Sequence, residues 1–139
     1  MFNFIESEDM DANVSEEYVV QMEKELGIVF PQILKNYYLY HNGSEIKECR
    51  FEKYGLEFCV ILIFSLNYGT ISVEKILKYN AKNSSIPKSF MPLALDEDED
   101  DYYWDTQEGK VYYLSLENVE HPKEICGSVE EFFEILNAC

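Results

Sequence analysis

Six consecutive carboxylates, Asp96-Glu97-Asp98-Glu99-Asp100-Asp101, run directly into three aromatic residues, Tyr102-Tyr103-Trp104. No other stretch limits the fold as tightly. An unpaired charge is very costly to bury, so the six acids cannot all lie inside. The aromatics beside them favour leaving water. Acids and aromatics side by side suggest an edge for a cationic partner, a metal site or a solvated turn, and Tyr102 to Asp105 read as a strand directly afterwards. On that strand Tyr102 and Trp104 share one face while Tyr103 and Asp105 share the other, and one of the two faces should be core.

The 139 residues suffice for one domain with one core, taken as residues 1–139. With 47% hydrophobic and 15% aromatic residues, a packed core is within reach. The net charge of -16 is unevenly placed. Residues 1–34 hold eight acids and one base, residues 35–88 five acids and eight bases, and residues 89–139 fourteen acids and two bases. Such a field repels nucleic acid and anionic membrane and attracts basic proteins. Met1-Phe2-Asn3-Phe4-Ile5 is too short and too acid-flanked for a signal peptide. The longest apolar run, Phe58 to Phe64, is seven residues and reads as a buried strand. Cys49, Cys59, Cys126 and Cys139 show no C-x-x-C spacing. Free thiols in a cytoplasm are the simplest expectation, with Cys59 and Cys126 as small core residues.

Ser15 is placed to cap a helix whose stripe is Tyr18, Val19, Met22 and Leu26, stopped by Gly27. Pro31 opens a second helix, closed by Asn42-Gly43. Arg50–Tyr54 and Leu56–Phe64 read as strands around a Gly55 turn, and Ser72 begins a third helix ending near Asn80. Asn83-Ser84-Ser85 reads as a loop. Phe90–Leu95 is a strand in which Pro92 marks an edge or an irregularity. Tyr102–Asp105 and Lys110–Leu116 form a hairpin about Thr106–Gly109. Ser128 and Glu131 make a capping box for a last helix. Clustered helices and strands in this order indicate an α+β fold with an antiparallel sheet.

Motifs for chemistry are weak. Asp96, Asp98 and Asp100 match the first three ligands of an EF-hand, but Asp101 stands where glycine is needed and Gln107 where a bidentate Glu belongs. Asp96 or Asp98 with Glu108-Gly109-Lys110 imitates the D…E-x-K arrangement of metal-dependent nucleases, at loose spacing and with a chain charge that repels the substrate. His41 and His121 stand in no nucleophile or zinc motif, and no phosphate-binding glycine loop is present. No catalytic residue, metal site or cofactor is expected.

The order of landmarks resembles the SUKH superfamily, in its cell-wall-assembly-regulator branch. The landmarks are Glu23-Lys24-Glu25-Leu26-Gly27, Phe30-Pro31, Leu34 to Tyr38, Asn42-Gly43, Phe90-Met91-Pro92-Leu93-Ala94, the acidic run, Tyr102 to Asp105, Gly109-Lys110-Val111-Tyr112 and the Ser128–Leu136 helix. The resemblance covers residues 15–137. Departures are Asp100-Asp101 where a glycine is common, and Asn42-Gly43-Ser44 where Asn-Gly-Gly is common. The resemblance implies a central antiparallel sheet flanked by helices and no shared catalytic site. Bacterial members are largely immunity proteins that bind a cognate polymorphic toxin, and others are regulatory scaffolds.

The leading expectation is a cytoplasmic immunity protein that neutralises a basic toxin, such as a nuclease, by stoichiometric binding. Asp96, Glu97, Asp98, Glu99, Asp100 and Asp101 would supply the field, with Tyr102, Tyr103 and Trp104 as anchors. The alternatives are a regulatory protein-interaction module without a toxin, and a metal-dependent nuclease. No nucleic-acid or membrane partner is expected, and the state should be a monomer or a weak homodimer through an edge strand.

Overall fold

The computed structural model describes residues 2–82 and 85–139. In chain order the elements are β1 (Ile5–Ser7), α1 (Glu16–Leu26), α2 (Gln32–Tyr40), β2 (Glu45–Ile46), β3 (Cys49–Lys53), β4 (Leu56–Val60), β5 (Leu62–Ile63), α3 (Val73–Lys82), β6 (Phe90–Leu95), β7 (Asp101–Asp105), β8 (Val111–Leu114), β9 (Lys123–Cys126) and α4 (Val129–Asn137). Short 3-10 turns cover Met10–Ala12 and Leu116–Asn118. A five-stranded antiparallel sheet, ordered β5-β6-β7-β8-β9, forms the centre, and the pairs β1-β2 and β3-β4 stand beside it. This is the expected α+β architecture.

Local chemistry explains the helical half. Ser15 Oγ accepts the Tyr18 N–H, and Gly27 closes α1 in the left-handed region at φ 67°. The Glu23 carboxylate spans the link to α2, accepting the Phe30 N–H at 2.8 Å and pairing with Lys35 at 3.3 Å. That contact gives Glu23 and Phe30-Pro31 a shared purpose, which is to set the angle between the two helices. Asn42 is fully buried. Its side chain donates to Ala12 O and Leu66 O and accepts the Leu66 N–H, at 2.7–2.9 Å, so it ties three segments together. Gly43 follows at φ 72°, where a Cβ would lie 2.7 Å from the Tyr68 ring.

In the sheet half, Tyr54 and Gly55 both take positive φ and make the two-residue turn between β3 and β4. The expected single strand Leu56–Phe64 is divided. At Ile61 the chain leaves the β3 hairpin, its N–H donating to Leu95 O, and β5 then pairs with β6. From Phe58 to Phe64 the run is apolar throughout, so alternation gave no sign of where it changes partner. Pro92 lies within β6, which is second in the sheet and not an edge, and its missing donor falls at a register shift. The third helix runs on to Lys82. Of the expected loop at Asn83-Ser84-Ser85, Asn83 and Ser84 lie outside the described residues, and Ser85 is in a turn.

The main core packs Val19, Leu34, Tyr37, Tyr38, Phe132 and Phe133 against one face of the sheet. A smaller cluster of Ile86, Phe90, Tyr103 and Leu114 covers the other. Cys59 and Cys126 are buried free thiols, as expected. Cys49 and Cys139, however, form a disulfide with a Cα–Cα distance of 5.5 Å, which corrects the expectation of four free thiols. The partners are 90 positions apart, and only the seating of the C-terminal helix beside β3 brings them together.

Candidate functional site at the acidic turn

The acidic run is the connection between β6 and β7. Leu95 and Asp101 pair across its base, the Asp96 N–H donates to Asp100 O at 2.8 Å, and the Glu99 N–H donates to Asp96 O at 3.1 Å. Glu99 takes φ 66° to close the reversal. The expected solvated turn leading into a strand is therefore present, closed by two backbone hydrogen bonds.

The six acids do not act alike. Asp96 is turned inward and buried, accepting the Asp98 N–H at 2.7 Å. Burial raises its carboxyl above the usual range, only partly offset by that hydrogen bond. Glu97 is held in a fork by Arg50 of β3, at 3.0 and 2.6 Å, and those bonds keep its carboxyl below the usual range. Arg50 also binds Glu57 and Glu48, each at 3.0 Å. Asp100 accepts the Tyr113 hydroxyl at 2.9 Å. Asp101 accepts the Tyr103 hydroxyl at 3.1 Å, and burial pushes its carboxyl up to about 6 against that bond, aided by the Asp100 charge. Only Glu97, Asp98 and Glu99 are exposed. The expectation of six presenting carboxylates is corrected to a tip of three, because a tight turn between paired strands must direct its base residues inward.

The aromatic triplet is corrected as well. Tyr102, Tyr103 and Trp104 are 0, 1 and 5% exposed. They occupy the central strand, so both faces of the triplet are covered, not one. Tyr102 and Trp104 join the main core, with the Tyr102 hydroxyl donating to Cys59 O, while Tyr103 joins the smaller cluster. None projects as an anchor. Trp104 helps line a groove of about 840 Å³ together with Val20, Lys24, Val29 and Lys88. Tyr103 and Asp101 line a pocket of about 240 Å³ under α3. Sequence reading missed this second site. Its walls come from Ile71, Ile76 and Tyr79, and only the third helix's position over β7 reveals them.

The imitated metal motifs do not assemble. The acidic turn and Glu108-Gly109-Lys110 lie at opposite ends of β7, roughly 17 Å apart for a five-residue strand. Lys110 instead pairs with Glu124 at 3.1 Å. Of the three EF-hand-like aspartates, Asp96 and Asp100 are engaged within the turn and by Tyr113. Among the described residues, Glu48, Cys59 and Glu97 place ligand atoms within 4.8 Å of one another, but Arg50 bonds to both carboxylates there. The Arg50 guanidinium already occupies that donor set, so it reads as an ion-pair network that keeps a net negative charge. Among the described residues no helix is long and apolar enough to cross a membrane.

A five-stranded antiparallel sheet with helices packed on it, and an acidic turn entering its central strand, define a mixed α+β domain of the SUKH type. A family model agrees over residues 13–135, and the chain belongs to the SMI1 / KNR4 family (SUKH-1). No curated protein gives a significant sequence match.

Proposed function

We propose that this protein is a non-enzymatic immunity protein that neutralises a cognate, basic polymorphic toxin by stoichiometric binding. The observation that carries the reading is the acidic tip, Glu97, Asp98 and Glu99, presented on a hydrogen-bonded hairpin turn by a chain of net charge -16. Opposed charge of this kind steers a basic protein to its docking face and excludes polyanions. Family membership supports the same role, since bacterial relatives are expected to be immunity proteins. A cytoplasmic site of action is part of the proposal, and a reducing compartment would open the Cys49–Cys139 disulfide seen in the fold.

Co-expression with a toxin encoded beside this gene tests the reading. Restored growth and a complex of fixed stoichiometry are expected. Equal toxicity with and without the protein would sink it and favour the regulatory module. Metal-dependent nuclease turnover by the purified protein, lost in Asp98→Asn or Lys110→Ala, would reassign it as an enzyme.

A further inference from the structure

The pocket beneath α3 has a composition that the acidic tip does not explain. Its mouth is apolar: Tyr79 is 64% and Ile71 44% exposed, unusually so for large apolar side chains that lie together. Its inner wall is polar. The Asp101 carboxylate accepts the Tyr103 hydroxyl, which in turn accepts from the Asn80 side-chain amide at 3.1 Å. Among the described residues no cation pairs with Asp101. The nearest candidate, Lys75, turns its ammonium to Gly69 O at 2.8 Å.

A volume of about 240 Å³ is below the range of small-molecule sites and suits one amino-acid side chain. An occupant must carry an apolar stem for Ile71 and Ile76, a face for Tyr79 and a cation for Asp101. Arginine meets all three requirements. Its guanidinium stacks on aromatic rings, forks onto carboxylates and is more weakly hydrated than an ammonium, so it enters a half-buried site at lower cost.

We infer that the Ile71–Tyr79–Asp101 pocket receives an arginine side chain presented by the protein partner. That the arginine belongs to a protein partner rests on the proposed neutralisation of a basic protein. In this arrangement the exposed tip supplies long-range attraction and the pocket supplies the anchor that the buried aromatic triplet cannot. Burial raises the carboxyl of Asp101, so a partner's cation relieves a charge that the folded protein carries at its own expense.

The test uses a probe that needs no toxin. N-acetyl-arginine methylamide is titrated into the full chain and followed by NMR at the Ile71 and Ile76 methyls and the Asn80 side-chain amide. Saturable shifts at those three residues are expected. Affinity should fall at least five-fold in Asp101→Asn and at least three-fold in Tyr79→Ala, an exposed position whose change leaves the fold intact. The neutral citrulline analogue should produce no saturable shift. Equal response to citrulline, shifts confined to Glu97–Glu99, or unchanged affinity in both variants would overturn the inference. A failed co-expression experiment bears only on the toxin reading, because the probe reads the pocket alone.

Discussion

Replacing Asp101 with Asn should stabilise the protein at neutral pH, and the gain should vanish in acid. In the unfolded chain this carboxyl ionises near 3.8, whereas burial moves it to about 6 in the fold. The folded state therefore holds the proton more tightly than the unfolded one. Above pH 6 the ionised group opposes folding in full, and the opposition is relieved as pH falls from 6 towards 3.8. A difference of that size corresponds to about 3 kcal/mol, reduced to on the order of 2 kcal/mol for the partial exposure of the group. Asparagine keeps an oxygen to accept the Tyr103 hydroxyl, so the variant removes the charge and keeps the hydrogen bond. Lys75, Tyr79, Asp100 and Tyr103 are the ionisable neighbours, present equally in both proteins. Taking the difference between the two proteins also cancels the general relief of repulsion that a chain of net charge -16 gains in acid. Urea unfolding of both proteins at pH 7.5, 6, 5 and 4 reads the effect. Asp101→Asn should be more stable by on the order of 2 kcal/mol at pH 7.5, with the gap shrinking to roughly 0.5 kcal/mol or less at pH 4. A variant that is less stable at pH 7.5, or a gap that does not change with pH, would refute the reasoning.

Asn42→Ala removes three buried hydrogen bonds and leaves backbone groups of Ala12 and Leu66 unsatisfied, so a loss of about 2–4 kcal/mol in chemical denaturation is expected. Cys139→Ser should cost about 2–4 kcal/mol in oxidising buffer and almost nothing relative to wild type in excess dithiothreitol, because the disulfide closes a loop of 90 positions. Neutralising the tip as Glu97→Gln, Asp98→Asn and Glu99→Gln together should slow association with a basic partner and flatten its salt dependence, read by stopped flow at low and physiological ionic strength. Unchanged salt dependence would reduce the tip to a solvated turn.

Much of the helical half was legible residue by residue. Ser15, Gly27, Pro31 and Ser128 act through their nearest neighbours in sequence, so their chemistry shows in the sequence itself. The acidic run was legible as a surface reversal for the same local reason. Three short strands, β1, β2 and β9, were not visible, since two to four residues carry too little alternation to register as strands.

The sequence by itself determined the α+β class, the order of most elements and the strong negative charge of the chain's C-terminal part. These depend on periodicity, capping and charge counts, which need no knowledge of neighbours in space. Tertiary structure alone decided which acids face solvent, that all three aromatics are core, that Cys49 meets Cys139, and that Asp101 closes a pocket under α3. Each of those outcomes depends on what lies across from a residue. The central position of β7 put a partner on both sides of Tyr102, Tyr103 and Trp104 and left three carboxylates of the six exposed at the tip.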